Sequence, residues 1–72
     1  MYSKAKIEWL KERFPKGTRI KLISMEDPHP VEPNTTGTVQ IVDDVGTIHM
    51  QWDNGRRLGL IYGEDSFEII KD

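Results

Sequence analysis

The side chains of this 72-residue chain best suited to nucleophilic catalysis are three serines and two histidines. A hydroxyl nucleophile needs a base within hydrogen-bond reach and an acid that orients that base. Ser3, Ser24 and Ser66 stand in no strand–elbow–helix setting. His29 lies among prolines and His49 within an alternating run, and no acid–base–hydroxyl grouping is local to either. Enzyme activity is therefore not expected. Cysteine is absent, which removes disulfides, thiolate metal sites and a thiol nucleophile. Two histidines twenty residues apart make no zinc pattern. Glu26-Asp27 and Asp43-Asp44 offer hard oxygen ligands without the spacing of a calcium loop, and Asp43 and Asp44 read as turn formers. Gly55, Gly59 and Gly63 recur at four-residue intervals, but as hairpin, strand and turn glycines rather than a phosphate cradle. Asn34-Thr35-Thr36 matches a glycosylation acceptor by chance. No catalytic residue, metal or cofactor is expected.

Binding surfaces remain, and three are candidates. The first is a helix flank, where Trp9 has Tyr2, Lys6 and Arg13 near it. Aromatics interleaved with basic groups suit stacking on bases or docking a partner. The competing reading drapes Trp9 over the domain's rim and leaves Lys6 and Arg13 as solvated charges. The second is a Pro-rich loop, in which His29 and Val31, held by flanking prolines, could line a groove. Its alternative is an ordered lid. The third is a strand face carrying His49 and Gln51, with Arg56 and Arg57 across a turn. Paired arginines grip phosphate or carboxylate, but cross-strand pairing with Asp53, Glu64 or Glu68 would consume them.

The elements that position these residues are short. Ser3 is a natural N-cap. Ile7, Leu10 and Phe14 then share one face, and Pro15 with Gly17 stops the helix, giving a helix over 3–14. After Gly17 the period changes to two in Arg19-Ile20-Lys21-Leu22. Pro28, Pro30 and Pro33 forbid regular structure between Met25 and Thr36. Strands follow at 38–42, 47–52, 56–61 and 67–70, the middle pair of turns carried by Asp43-Asp44-Val45-Gly46 and Asn54-Gly55. The expected core is Ile7, Leu10, Phe14, Ile20, Leu22, Val39, Ile41, Ile48, Met50, Trp52, Leu58, Leu60, Phe67 and Ile69.

One helix and five short strands predict a mainly β domain over 1–72. The economical arrangement is a small five-stranded SH3-like barrel over 18–70 with the helix packed over one end. An open four-stranded sheet with the helix on its face is the alternative. Apolar runs of two or three residues are too short for a membrane span or a signal-peptide core, so a cytoplasmic location is expected. The net charge of −2 hides a split. Residues 1–21 hold seven Lys/Arg against two Glu (+5), and residues 22–72 hold three against ten Asp/Glu (−7).

The run from Gly37-Thr-Val to Trp52-Asp-Asn-Gly55 resembles the SH3-like barrel of Mind-bomb-type ubiquitin ligases over about half the chain. The similarity stops at the helix and the Pro-rich loop, so no ligase role is implied. Over nearly the whole chain, Gly17-Thr-Arg-Ile-Lys-Leu-Ile-Ser-Met-Glu-Asp-Pro28, Gly37-Thr-Val39, Asp43-Asp44, Trp52-Asp-Asn-Gly55 and Leu58-Gly59-Leu60 resemble a small family, Domain of Unknown Function 4314. That resemblance implies a setting in Gram-positive bacteria, their phages and integrative mobile elements. It implies no activity and no site residues. The expected function is a non-catalytic module that binds another protein. Nucleic-acid binding is the alternative, favoured by the basic first segment and opposed by the net acidity. An accessory or counter-defence role in a mobile element is a third reading. No membrane partner is expected.

Overall fold

The computed structural model, which describes residues 2–71, runs helix first and sheet after. Its elements are α1 (Lys4–Arg13), β1 (Arg19–Ser24), β2 (Thr36–Val42), β3 (Thr47–Trp52), β4 (Leu60–Ile61) and β5 (Ser66–Ile69). Ser3 is extended, and its hydroxyl accepts the Lys6 N–H at 3.1 Å, which satisfies one of the free donors of the first turn. Lys11 and Arg13 complement the negative end of the helix dipole. Phe14 caps the helix, its N–H donating to the Leu10 carbonyl, and Pro15 prevents another turn.

The strands form one antiparallel sheet in the order β4-β3-β2-β1-β5. β2, β3 and β4 are a meander, and β1 sits between β2 and β5. Two register irregularities bend this sheet, one between Val39 and Ile41 in β2 and one between Leu22 and Ser24 in β1. The result is the expected small SH3-like barrel. Leu10 and Phe14 pack α1 over its end, and Leu10, Phe14, Ile20, Leu22, Val39, Ile48, Met50, Trp52 and Leu60 are buried together.

Four expectations are corrected. Ile41 is 60% exposed and Val42 is buried in its place, because the β2 irregularity sets Gln40 and Ile41 both outward. Ile7, Leu58, Phe67 and Ile69 are only partly buried. The strand expected over 56–61 shrinks to Leu60–Ile61. The hairpin closes with the Trp52 N–H donating to the Arg56 carbonyl, and the Trp52 indole then takes the Leu58 carbonyl out of the ladder at 2.8 Å. Finally, Val31 is 1% exposed. It plugs the core and lines no groove.

The Pro-rich segment is therefore an ordered lid pinned from several sides. The Val31 N–H reaches the Met25 sulfur, Asp27 accepts the His29 N–H, and the Asp65 carboxylate accepts the Glu26 N–H. The Arg56 guanidinium donates to the carbonyl oxygens of His29 and Pro30 at 2.7 and 2.8 Å.

Gly37 of β2 lies opposite Trp52 of β3. A Cβ there would lie 2.7 Å from the Trp52 ring and 3.1 Å from its Cα. Neither a buried ring nor a strand backbone yields easily. Gly37→Ala is expected to cost ~1–3 kcal/mol by overpacking. Urea melts would show it as a lower midpoint at unchanged slope.

Candidate functional site

Residues 6, 9 and 13 share one flank of α1, since positions three and four apart are neighbours on a helix. The barrel meets this flank with Tyr62, just beyond β4, while Phe67 of β5 meets Phe14 at the end of the helix. Trp9 stands edge-on to Tyr62, ring centroids 5.3 Å apart at 69°. Phe14 lies 6.2 Å from Tyr62 and 5.7 Å from Phe67, and Tyr62 and Phe67 are 6.3 Å apart. Such tilted geometries put ring edges against ring faces, as aromatic quadrupoles favour. The Lys6 ammonium sits 4.0 Å from the Trp9 centroid and 4.6 Å from that of Tyr62, a cation shared by two rings.

Tyr2 locks this arrangement by donating its hydroxyl to the Tyr62 carbonyl. Burial, then the charges of Glu64 and Asp65, push its pKa above the ordinary phenol value and keep the donor proton in place. Beyond Tyr62 the surface falls into an open groove of about 540 Å³. Arg13, Phe14 and Tyr62 line one side, and Ile23 with residues 66–69 line the other. Ile23 in its lining is 50% exposed, and Trp9, 39% exposed, packs on Tyr62 beside it.

The structure thus brings Tyr2, Lys6 and Trp9 together and places Arg13 on the adjoining groove. His29 is exposed on the lid and Val31 is inside it. Among the described residues Arg56 pairs with no acid; it holds lid carbonyls instead. Arg57 is exposed on the far hairpin. Sequence reasoning missed Tyr62, Phe67 and Ile23 as surface residues. Tyr62 follows an apolar strand pair and showed no local sign of meeting a helix some fifty residues earlier.

The third expected surface is also occupied. His49 Nε2 lies 2.7 Å from an Asp43 carboxylate oxygen, and the other Asp43 oxygen accepts the N–H groups of Val45 and Thr47. No serine completes a relay there: Ser3 caps the helix, and Ser24 and Ser66 are register partners on β1 and β5. The His49 hydrogen bond, chiefly, holds the Asp43 pKa below the usual carboxylate range. Asp53 lies well below that range, first because the Arg19 guanidinium grips both its oxygens at 2.6 and 2.9 Å, then because Thr36 donates to it.

Both shifts are downward, so their stabilisation is present above the unfolded value of 3.8 and is lost as pH falls through the lower folded values. Melting temperature should stay level from neutral to about pH 5 and fall below about pH 4. Asp53→Asn should start lower and fall less steeply with acid. An acid limb as steep as that of the parent would remove Asp53 from this account.

The order of the strands, the two bends and the capping helix define a small SH3-like barrel with an N-terminal helix, carrying an aromatic groove at the helix–β5 junction. The chain belongs to the family described as Domain of unknown function (DUF4314), which matches residues 3–70. No curated protein and no solved structure matches it. No helix among the described residues is long and apolar enough to cross a membrane.

Proposed function

We propose that this domain is a protein-interaction module whose partner docks across Trp9, Tyr62 and the groove beside β5. The observation that carries the reading is the chain of rings from Trp9 through Tyr62 to Phe67. Its rings pack edge to face, and it opens onto a groove beside which Trp9 and Ile23 keep apolar surface in solvent. Rigid aromatics ringed by polar side chains, here Lys6, Arg13 and Glu68, are the usual anchors of protein interfaces.

The electrostatics favour protein over nucleic acid. Two charges of the basic first segment are already paired with the acidic remainder, Lys11 with Asp44 and Arg19 with Asp53, each at 2.6 Å, and Lys6 is seated over rings. That thins the footprint a phosphate backbone would need. We place the activity in the bacterial cytoplasm, with a phage or integrative element as its setting. A cysteine-free composition and the family resemblance support that placement.

Trp9→Ala separates binding from folding. It removes an edge contact and a cation–π contact at a half-open site, a stability loss of about 1 kcal/mol. As an interface anchor it should cost about 2 kcal/mol or more in binding. A photo-reactive phenylalanine at position 9 should crosslink a protein in host cells, and the same group at exposed position 57 should not. Equal crosslinking at both positions, or a shift of DNA or RNA in gels at low salt, would refute the proposal.

A further inference from the structure

We infer that the partner enters as an extended segment that adds a strand to the open edge of β5, with a basic side chain set against Glu68. This rests on the interaction-module reading and names the chemistry of its partner.

The sheet ends at β5, whose only strand neighbour is β1. The register is Ile20↔Ile69, Lys21↔Glu68 and Leu22↔Phe67, and the Ile70 N–H donates to the Arg19 carbonyl at 2.9 Å. Antiparallel ladders alternate bonded and non-bonded pairs. Arg19/Ile70 and Lys21/Glu68 are therefore the bonded pairs. Phe67 and Ile69 must turn their N–H and C=O groups away from β1. Among the described residues nothing pairs with them. Two donors and two acceptors thus stand in a row, which is the template a peptide strand uses.

The groove sits on this edge. All of residues 66–69 line it, although successive strand side chains point to opposite faces. A groove that touches four consecutive residues, and Ile23 of β1 besides, wraps around β5 from the β1 side to the open edge rather than lying over one face. Its far wall is the end of α1 and Tyr62, so an added strand would lie between β5 and the helix. Its inward side chains would meet Phe14, Tyr62 and Phe67, and should be apolar. Its outward ones would meet exposed Glu68, with Asp65 in the lining and Glu64 beside it, three acids against Arg13 in the lining and Lys21 opposite Glu68 on β1. That excess of acid selects a basic residue.

A second copy of the chain fits less well. Twofold pairing of Phe67 with Ile69 of the other copy would set the two Glu68 side by side in a non-bonded pair, Cα atoms ~4.5 Å apart, and like charges so placed repel.

The test titrates isotope-labelled protein with a capped eight-residue peptide alternating valine and lysine. The amides of Phe67 and Ile69 should shift and gain exchange protection, while Glu68 and Ile70 change little. A valine–glutamate peptide should bind far more weakly, and a peptide N-methylated at alternate amides not at all. Glu68→Gln, at an exposed position, should weaken the valine–lysine peptide by about two- to five-fold. Ile69→Pro removes an outward N–H together with a partly buried side chain; with its fold verified by amide dispersion, it should not bind, whereas Ile69→Ala, which loses the side chain and keeps the N–H, should still bind. Equal binding of the glutamate or N-methylated peptide, or no response at Phe67 and Ile69, overturns strand addition. So does protection of those amides by dimerisation alone, seen in sedimentation. If crosslinking from position 9 persists while the peptide fails, the interaction module stands without strand addition. If both fail, both readings fall.

Discussion

Trp52→Ala is expected to unfold the domain. Trp52 is fully buried at the end of β3, and three separate structures converge on it. Its ring fills the space that Gly37 leaves open in β2. Its indole N–H donates to the Leu58 carbonyl and so fixes the chain between the hairpin and β4. Its own backbone closes the Asn-Gly hairpin, donating to the Arg56 carbonyl and accepting from the Gly55 N–H. Removing a large core aromatic costs ~3–5 kcal/mol. A domain of this length, held by one small core without disulfides, has a total stability of only about 5 kcal/mol. The cost and the total are equal within their spread, so the folded population collapses. Circular dichroism and dispersion of the amide spectrum would report it. Trp52→Phe keeps most of the volume and loses the indole bond, and should remain folded at a lower melting temperature. A cooperative native-like melt for Trp52→Ala would mean the β3 facing is misassigned.

Trp52 was legible because β3 is a regular strand. Ile48, Met50 and Trp52 alternate without interruption, and the structure buries all three. The helix was legible for a similar reason: Ser3, Pro15 and the Leu10/Phe14 spacing are local signals that agree. The failures occur where a local pattern is broken by something distant. Alternation through Val39 and Ile41 implies that both face in, but one irregular step in β2 reverses the facing and makes Val42 the core residue. Val31 lies among prolines, in a composition that signals only a loop; its burial follows from the Arg56 clamp and the Met25 contact, which the sequence does not pair.

The candidate site divides in the same way. Its helical half, Lys6 and Trp9, follows from helix periodicity. Its barrel half, Tyr62 and Phe67, is defined by contacts across about fifty residues and leaves no local trace. The charge split reads differently once folded. Lys11–Asp44 and Arg19–Asp53 each tie the basic first segment to the acidic remainder. The imbalance along the chain is partly an imprint of which elements pack together. Exposed pairs of this kind are worth little individually, so Lys11–Asp44 orients the helix more than it holds it, while Arg19–Asp53 links β1 to the end of β3.

What holds the helix is Leu10, and Leu10→Ala is expected to detach it. α1 has ten residues, and helices shorter than about 12–15 residues are marginal alone in water. Leu10 is its one fully buried side chain. Ile7 is half-buried, and Phe14 is the cap rather than part of the helix. Truncating a buried leucine costs ~2–5 kcal/mol, nearly the whole anchorage of the element. The two tryptophans read the two halves of the molecule separately, Trp9 on the helix and Trp52 in the barrel. In Leu10→Ala, Trp9 fluorescence and the helical signal should be lost at lower denaturant than the Trp52 signal, or both should fall together if the barrel cannot stay folded without its cover. In either case partner crosslinking from position 9 disappears, because Tyr62 and the β5 groove lose their far wall. Trp9→Ala should lose binding while the helical signal and the Trp52 fluorescence melt near their parent midpoints. That contrast ties the interface to the docked helix: Leu10 builds the surface and Trp9 uses it. Binding that survives Leu10→Ala with the helix melted would show that the partner reads the barrel alone.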